Sequence, residues 1–338
     1  MTLPRVLYWS HAPDSVYAVL RTCAQGIAQL DTLERDDPAL RTQALQQADV
    51  LIVAARPLSA EELVQAPRLR LLHHQGVGYQ DTVPVADLAR RGIRLALTPE
   101  GTTTGVAEHT IMLMLAVYKR LAHVDAQLRL GCWHINTYRS ESRELFGKRI
   151  GYIGFGRIGQ AVAARLHAFG TEAVFHDPGI DARTVQAGAA LVHAMALDEL
   201  LESVDVVTLH LPYSPAARHI LNAAAFARMR PGAIVVNAAR GGLIDETALC
   251  QALDSGHLGG AGLDCFEREP VAADHPLFAH RHVVVTPHTA AATIDALQTK
   301  MHSLFANVAS WSRHEPMRNE VVLTNAQSDT SHSGNAPG

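Results

Sequence analysis

Arg149-Ile150-Gly151-Tyr152-Ile153-Gly154-Phe155-Gly156-Arg157-Ile158-Gly159-Gln160 is the stretch from which the fold reads most directly. A short apolar strand runs into Gly154-x-Gly156-x-x-Gly159, and a helical pattern follows from Gln160 to Phe169. In that setting the first glycine permits the tight turn and the second lets backbone approach a pyrophosphate. The third allows close helix-strand packing, and the helix N-terminus receives the phosphate charge. The next strand, around Ala173-Val174-Phe175, ends at Asp177, 18 residues after Gly159. A carboxylate there accepts hydrogen bonds from the adenosine ribose hydroxyls and repels a 2′-phosphate, which favours NAD over NADP. His176 and Arg183 nearby leave NADP open, and the turn by itself also suits an S-adenosyl ligand.

Outward from this turn the chain alternates strand and helix, the pattern of parallel α/β sheets. On the amino-terminal side strands are expected at Val6–Trp9, Val50–Val53, Leu69–Leu72 and Ile93–Leu95. On the carboxyl side they are expected at Val204–Val207, Ala233–Val236 and Val283–Val285. Between the two series, Thr102-Thr103-Thr104 precedes a helix with apolar residues on nearly every face, Val106, Ile111, Leu113, Met114, Leu115 and Val117 among them. Such a helix is buried between domains or subunits. Ile294, Leu297, Met301, Leu304, Phe305 and Val308 follow helical spacing and predict an amphipathic helix that crosses back onto the first domain. The residues from 325 to 338 are polar, without apolar periodicity, and read as a disordered tail.

At 338 residues two domains are the natural division, since single cores stop growing near this size. Lys and Arg number 29 against 33 Asp and Glu, a net charge of -4 without a basic run, so neither nucleic acid nor an anionic membrane surface is an expected partner. The longest strongly apolar stretch, Ile111–Tyr118, is far too short for a membrane span, which needs about 20 residues. Cys23, Cys132, Cys250 and Cys265 are scattered, with no spacing that would hold a metal, and reduced thiols in the cytoplasm are expected.

Three residues suggest chemistry. Arg240 follows the strand at Ile234–Asn237, at the sheet edge where ligands of open α/β folds sit, and its planar guanidinium suits a carboxylate and an adjacent carbonyl. Glu269 closes the run Gly262–Glu269, and His288 ends Val283–His288. Paired, the carboxylate would orient the imidazole and raise its pKa, so that it keeps a proton for delivery near neutral pH. Taken singly, Arg240 reads as a solvated charge in a loop and His288 as a surface or core group.

Together these segments resemble the D-isomer-specific 2-hydroxyacid dehydrogenase family over about Val50 to His288. The matching stretches are Gly76-Val77-Gly78-Tyr79, Val106-Ala107-Glu108-His109-Thr110, the Gly154 turn, His210-Leu211-Pro212, the Arg240 segment, Leu263-Asp264 and Pro287-His288-Thr289-Ala290. The resemblance implies a catalytic trio: Arg240 on the substrate carboxylate and carbonyl, Glu269 as partner, and His288 as acid and base. It implies that backbone amides of Gly76, Val77 and Gly78 bind the substrate carboxylate. Gly154, Gly156, Arg157, Ile158, Gly159, Asp177, His210, Pro212, Ala238, Arg240, Asp264 and His288 would line NAD, Asp264 beside the nicotinamide carboxamide. No metal is implied.

The fold implied is two Rossmann-like domains, an NAD-binding doubly wound parallel sheet inserted into a smaller flavodoxin-like substrate domain. Residues 1–100, completed by 290–324, would form the substrate domain and residues 101–289 the NAD domain. Family members are usually dimers, joined through the helix after Thr104. The reaction implied is hydride transfer between nicotinamide and C2 of a small D-2-hydroxy or 2-oxo acid such as glyoxylate or hydroxypyruvate. Enzymes for 3-phosphoglycerate tend to place Arg near the substrate loop, where His74 stands here, and relatives that oxidise formate carry Gln in the place of Glu269. Phosphite oxidation and an NAD(H)-sensing corepressor role remain as alternatives.

Overall fold

The computed structural model describes residues 3–54 and 56–323, and the expected tail at 325–338 lies outside them. The chain divides into two compact units, Met1–Thr102 with Ile294–Gly338, and Thr103–Thr293.

In the first unit β1 (Arg5–Tyr8), β2 (Gln29–Asp31), β3 (Val50–Val53), β4 (Leu71–His74) and β5 (Arg94–Leu97) form a parallel sheet in the order β2-β1-β3-β4-β5. Glu320–Val321 adds an antiparallel edge to β5. This is the flavodoxin-like order. β3 and β4 are buried at every position because helices cover both faces, which is why β3 reads as a continuous apolar run. On one face Met301, Leu304, Phe305 and Val308 of the helix Ile294–Ser312 pack with Tyr17 and Leu20. On the other, Leu45, Leu63 and Leu88 close the layer.

β4 lies two residues later than expected from apolar content, because it contains two histidines. Both are buried and bonded: His73 Nδ1 lies 3.3 Å from Thr98 Oγ1 and its Nε2 3.0 Å from Asn307 Nδ2, while His74 Nε2 lies 3.0 Å from Thr82 Oγ1. Burial drives the His73 pKa down to about 3, so this ring is neutral.

The second unit holds β6 (Arg149–Ile153), β7 (Glu172–His176), β8 (Thr184–Ala187), β9 (Ala190–Ala194), β10 (Val206–Leu209), β11 (Ile234–Asn237), β12 (Gly260–Leu263) and β13 (Val283–Val285). Their order is β8-β9-β7-β6-β10-β11-β12-β13, parallel except for the β8-β9 hairpin. Strand order reverses between β6 and β10. The turn leaving β6 therefore sits at the switch point, where doubly wound sheets open a crevice for ligands.

The helix Thr102–Tyr118 is apolar all round because most of it is covered within the chain: nine of its residues are buried, Leu113 and Val117 among them. Met112, at 43% exposure, is the large apolar side chain it leaves open. Exposed apolar side chains gather instead just after it, at Leu121, Leu128, Leu130, Trp133, Ile135 and Phe146. Among the described residues no helix is long and apolar enough to cross a membrane.

Candidate active site

The Gly-rich turn is shaped by contacts a side chain would block. Gly154 has φ 83°, and a Cβ there would stand 2.7 Å from the His210 carbonyl carbon. Nothing lies within 4 Å of where a Gly156 Cβ would be, so this backbone faces open space. Gly156 caps the helix Arg157–Leu166 without a side-chain bond, leaving the first-turn N–H groups to an external acceptor. These features fit a dinucleotide pyrophosphate.

Asp177, just past β7, accepts from Phe155 N at 2.8 Å on one oxygen and from Gly179 N at 2.9 Å on the other. The carboxylate thereby braces the turn, and each oxygen keeps a lone pair for a ribose hydroxyl. His210, on the far side of the turn, is half-buried with Nε2 3.0 Å from Thr208 Oγ1, and loss of solvent lowers its pKa to about 3. Pro212 and Arg157 are exposed at the same strand edge.

The three chemistry-bearing residues arrive from the carboxyl ends of adjacent strands. Arg240 follows β11, where buried Asn237 donates to the Arg240 carbonyl at 2.8 Å and accepts from Ala239 N at 3.0 Å. Arg240 Nη1 donates to the Ala239 carbonyl at 2.9 Å, which holds the guanidinium near its own backbone. Gly241 follows because a Cβ there would stand 1.9 Å from the Phe266 carbonyl carbon.

Glu269 lies beyond β12 and accepts from Phe266 N through Oε1 at 2.9 Å. Its Oε2 lies 2.8 Å from His288 Nδ1, just past β13. An ionised carboxylate only accepts, so Nδ1 carries the proton and Nε2 is the ring nitrogen left for proton exchange. The bond to Glu269 raises the His288 pKa; burial opposes this, the charge of Glu269 reinforces it, and Arg240 opposes it. For Glu269 burial pushes upward, but the bonds from His288 and Phe266 N outweigh it and hold the carboxyl low. Arg240 acts electrostatically on both partners, so the trio shares one field.

Asp264, at 1% exposure, receives the Thr286 hydroxyl at 2.5 Å and the amides of Thr289 and Ala290 at 2.8 Å each. Burial pushes its pKa up, and the bonds from His109, from Thr286 and from the Thr289 and Ala290 amides bring it below the usual carboxylate value. The Gly76–Val77–Gly78 loop follows β4 in the first unit, with Val77 exposed and the Tyr8 hydroxyl 3.2 Å from Gln75 Oε1 at its root. Among the described residues no cluster of His, Cys, Asp and Glu could hold a metal.

Two residues of this arrangement escaped the sequence reading of the site: Asn237, which braces Arg240, and Thr286, which bonds Asp264. Asn237 had one available signal, a polar residue ending an otherwise apolar strand.

A doubly wound nucleotide-binding sheet, with an arginine, a glutamate and the histidine bonded to it placed past the ends of three neighbouring strands, defines a class of two-unit α/β nucleotide-binding proteins. Residues 111–290 match the family described as D-isomer specific 2-hydroxyacid dehydrogenase, NAD binding domain. The D-3-phosphoglycerate dehydrogenase of Mycobacterium leprae is 42% identical over 298 residues, covering 88% of this chain and 54% of that protein. The glyoxylate reductase of Thermofilum pendens is 34% identical over 305 residues, 88% of each chain. A solved structure of NAD-dependent formate dehydrogenase from Staphylococcus aureus, in complex with NAD, superposes with a TM-score of 0.82 at 27% identity, over 95% of this chain and 99% of that one. The chain belongs to the D-isomer-specific 2-hydroxyacid dehydrogenase family, and its cofactor is NAD. It spans about half the length of the phosphoglycerate dehydrogenases it matches.

Proposed function

We propose that the protein interconverts a small, unphosphorylated D-2-hydroxy acid and its 2-oxo acid, with hydride exchange at C2. The observation that carries this reading is the 2.8 Å bond between His288 Nδ1 and Glu269, set beside Arg240 at neighbouring strand ends. When bound, NAD supplies the hydride acceptor or donor; everything else falls to the chain. Arg240 binds the substrate carboxylate and polarises the carbonyl with its fork of N–H donors. His288 Nε2 delivers the proton to the carbonyl oxygen in reduction and removes it in oxidation, while Glu269 stabilises the imidazolium.

The absence of an arginine beside the Gly76 loop, where His74 stands, supports an unphosphorylated acid, and the carboxylate at Glu269 supports hydroxyacid over formate chemistry. Asp177 supports NAD over NADP. Four thiols, none in a disulfide among the described residues, support the cytoplasm. The exposed apolar run from Leu121 to Phe146 supports a homodimer, with the segment after the helix Thr102–Tyr118 as the contact.

The test is the loss of NADH absorbance with purified protein and glyoxylate, hydroxypyruvate, pyruvate, phenylpyruvate, 2-oxobutyrate and 3-phosphohydroxypyruvate in turn, repeated with NADPH. Rapid turnover of one unphosphorylated acid with NADH is the expected result. Tight NADH binding without turnover of any acid would overturn the proposal and shift the weight to phosphite oxidation or an NAD(H)-sensing role.

A further inference from the structure

The helix Thr102–Tyr118 turns one side toward the catalytic turn. Residues four apart share a helix face. A Cβ at Gly105 would stand 3.1 Å from the Ala290 carbonyl oxygen, and Leu113 approaches β12 so closely that a Cβ at Gly262 would stand 2.9 Å from the Leu113 Cβ. Between them His109 places Nε2 2.9 Å from Thr286 Oγ1 and 3.4 Å from Asp264 Oδ1.

Proton counting fixes the direction of these bonds. Asp264 is held ionised and only accepts, so the single Thr286 hydroxyl proton goes to it at 2.5 Å. The Thr286 oxygen is then an acceptor, and His109 must donate from Nε2. The chain His109 to Thr286 to Asp264 is a polarised series in which each bond strengthens the next.

Asp264 in turn grips the segment that carries the acid. It accepts from Thr289 N and Ala290 N, and its own carbonyl accepts from His288 N at 2.7 Å. His288 sits in the left-handed region at φ 55°, a conformation that a side-chain-bearing residue keeps only when its surroundings enforce it. The Asp264 bonds supply that enforcement on both flanks of the residue.

We propose that His109 is a positioning residue for the reaction: by donating through Thr286 to Asp264 it holds the turn of His288 in reactive geometry. The inference rests on the hydroxyacid reading above. The charged groups facing His288 are Glu269, Arg240 and Asp264. His109 faces Thr286 and Asp264 and acts through them.

The test compares His109→Leu, which removes the donor, with His109→Gln, whose Nε2 restores it at similar reach. The Leu variant should lose about tenfold in kcat, a fraction of the 10²–10⁴ that a general acid contributes, with KM for the 2-oxo acid within about twofold. The Gln variant should recover most of the loss at equal thermal midpoint. Independently of turnover, the His288 imidazole followed by NMR, assigned with His288→Gln, should titrate at lower pH in the Leu variant than in wild type. Unchanged kcat and titration in the Leu variant, or a Gln variant no better than Leu at equal stability, would overturn the role. If the wild type turns over no 2-oxo acid, the functional reading fails while the NMR titration still decides whether His109 sets the His288 turn.

Discussion

Glu269→Gln isolates the charge that Glu269 places behind His288. The amide keeps the size of the carboxylate, and its oxygen still accepts from His288 Nδ1, so geometry is largely preserved while the negative charge is lost. In the native protein the first cause of the raised His288 pKa is this hydrogen bond. A charge-assisted bond is roughly twice as strong as a neutral one, so about half of its contribution should remain. The side chains are 46% and 37% exposed, and solvent screening holds the lost part to about 1 kcal/mol, or somewhat under one pH unit.

The sign follows from which form reacts. Reduction needs protonated His288, and a raised pKa extends that form toward higher pH; the substitution therefore moves the alkaline limb of kcat/KM for reduction to lower pH. Above the limb the reduction rate should fall about fivefold relative to wild type, while oxidation, which uses the neutral imidazole, should retain its rate at high pH better. The assay is kcat/KM against pH in both directions, with thermal midpoints to exclude misfolding. An alkaline limb that stays in place in Glu269→Gln would refute Glu269 as the group that tunes His288.

Gly154→Ala forces a side chain at φ 83° into the His210 carbonyl carbon, at 2.7 Å, and should weaken NADH binding tenfold or more, read by fluorescence titration. The strain, of order 1–3 kcal/mol, should also lower the thermal midpoint by several degrees. Asp177→Asn keeps an acceptor for Phe155 N but removes the charge, so the NADH to NADPH ratio of kcat/KM should fall about tenfold; an unchanged ratio would refute the role of Asp177 in cofactor choice. Trp133→Glu, at a side chain 76% exposed, should halve the mass found by light scattering, and a wild-type protein that is already monomeric would refute the proposed dimer.

The sheets were legible from the sequence where strands are dominated by apolar residues: β3 is a buried, unbroken apolar run, β6 and β11 are buried and largely apolar, and β13 is three valines although only Val283 of them is buried. Elements that gain their stability elsewhere were not. β12 is Gly-Ala-Gly-Leu, poor in strand-forming residues, and its small side chains let Leu113 and Val117 approach. β8 and β9 form an edge hairpin with several exposed positions, so they lack the apolar continuity of a central strand. In the helix Thr102–Tyr118 the all-round apolar character is met mostly by burial within the chain, while Met112 and the apolar side chains just after the helix stay exposed.

At the site, Arg240 and His288 could be picked out because each follows an apolar strand, and Glu269 as a carboxylate available to pair with the imidazole. The polar groups that hold them carried a weaker signal. Asn237 and Asp264 are buried, Thr286 and His109 half-buried, all are ordinary residue types, and nothing in local spacing says that a threonine 22 residues beyond an aspartate will donate to it. Their pairing follows from β12 and β13 being neighbours in register, Leu263 beside Val285, which brings the residues just past each strand together. That same register sets His288 N on the Asp264 carbonyl, and the turn it creates delivers the imidazole to Glu269. The parallel pairing of two short strands is thus the step that converts scattered polar residues into an oriented acid, and a change that slipped this register by one residue would separate His288 from Glu269 and Asp264 together.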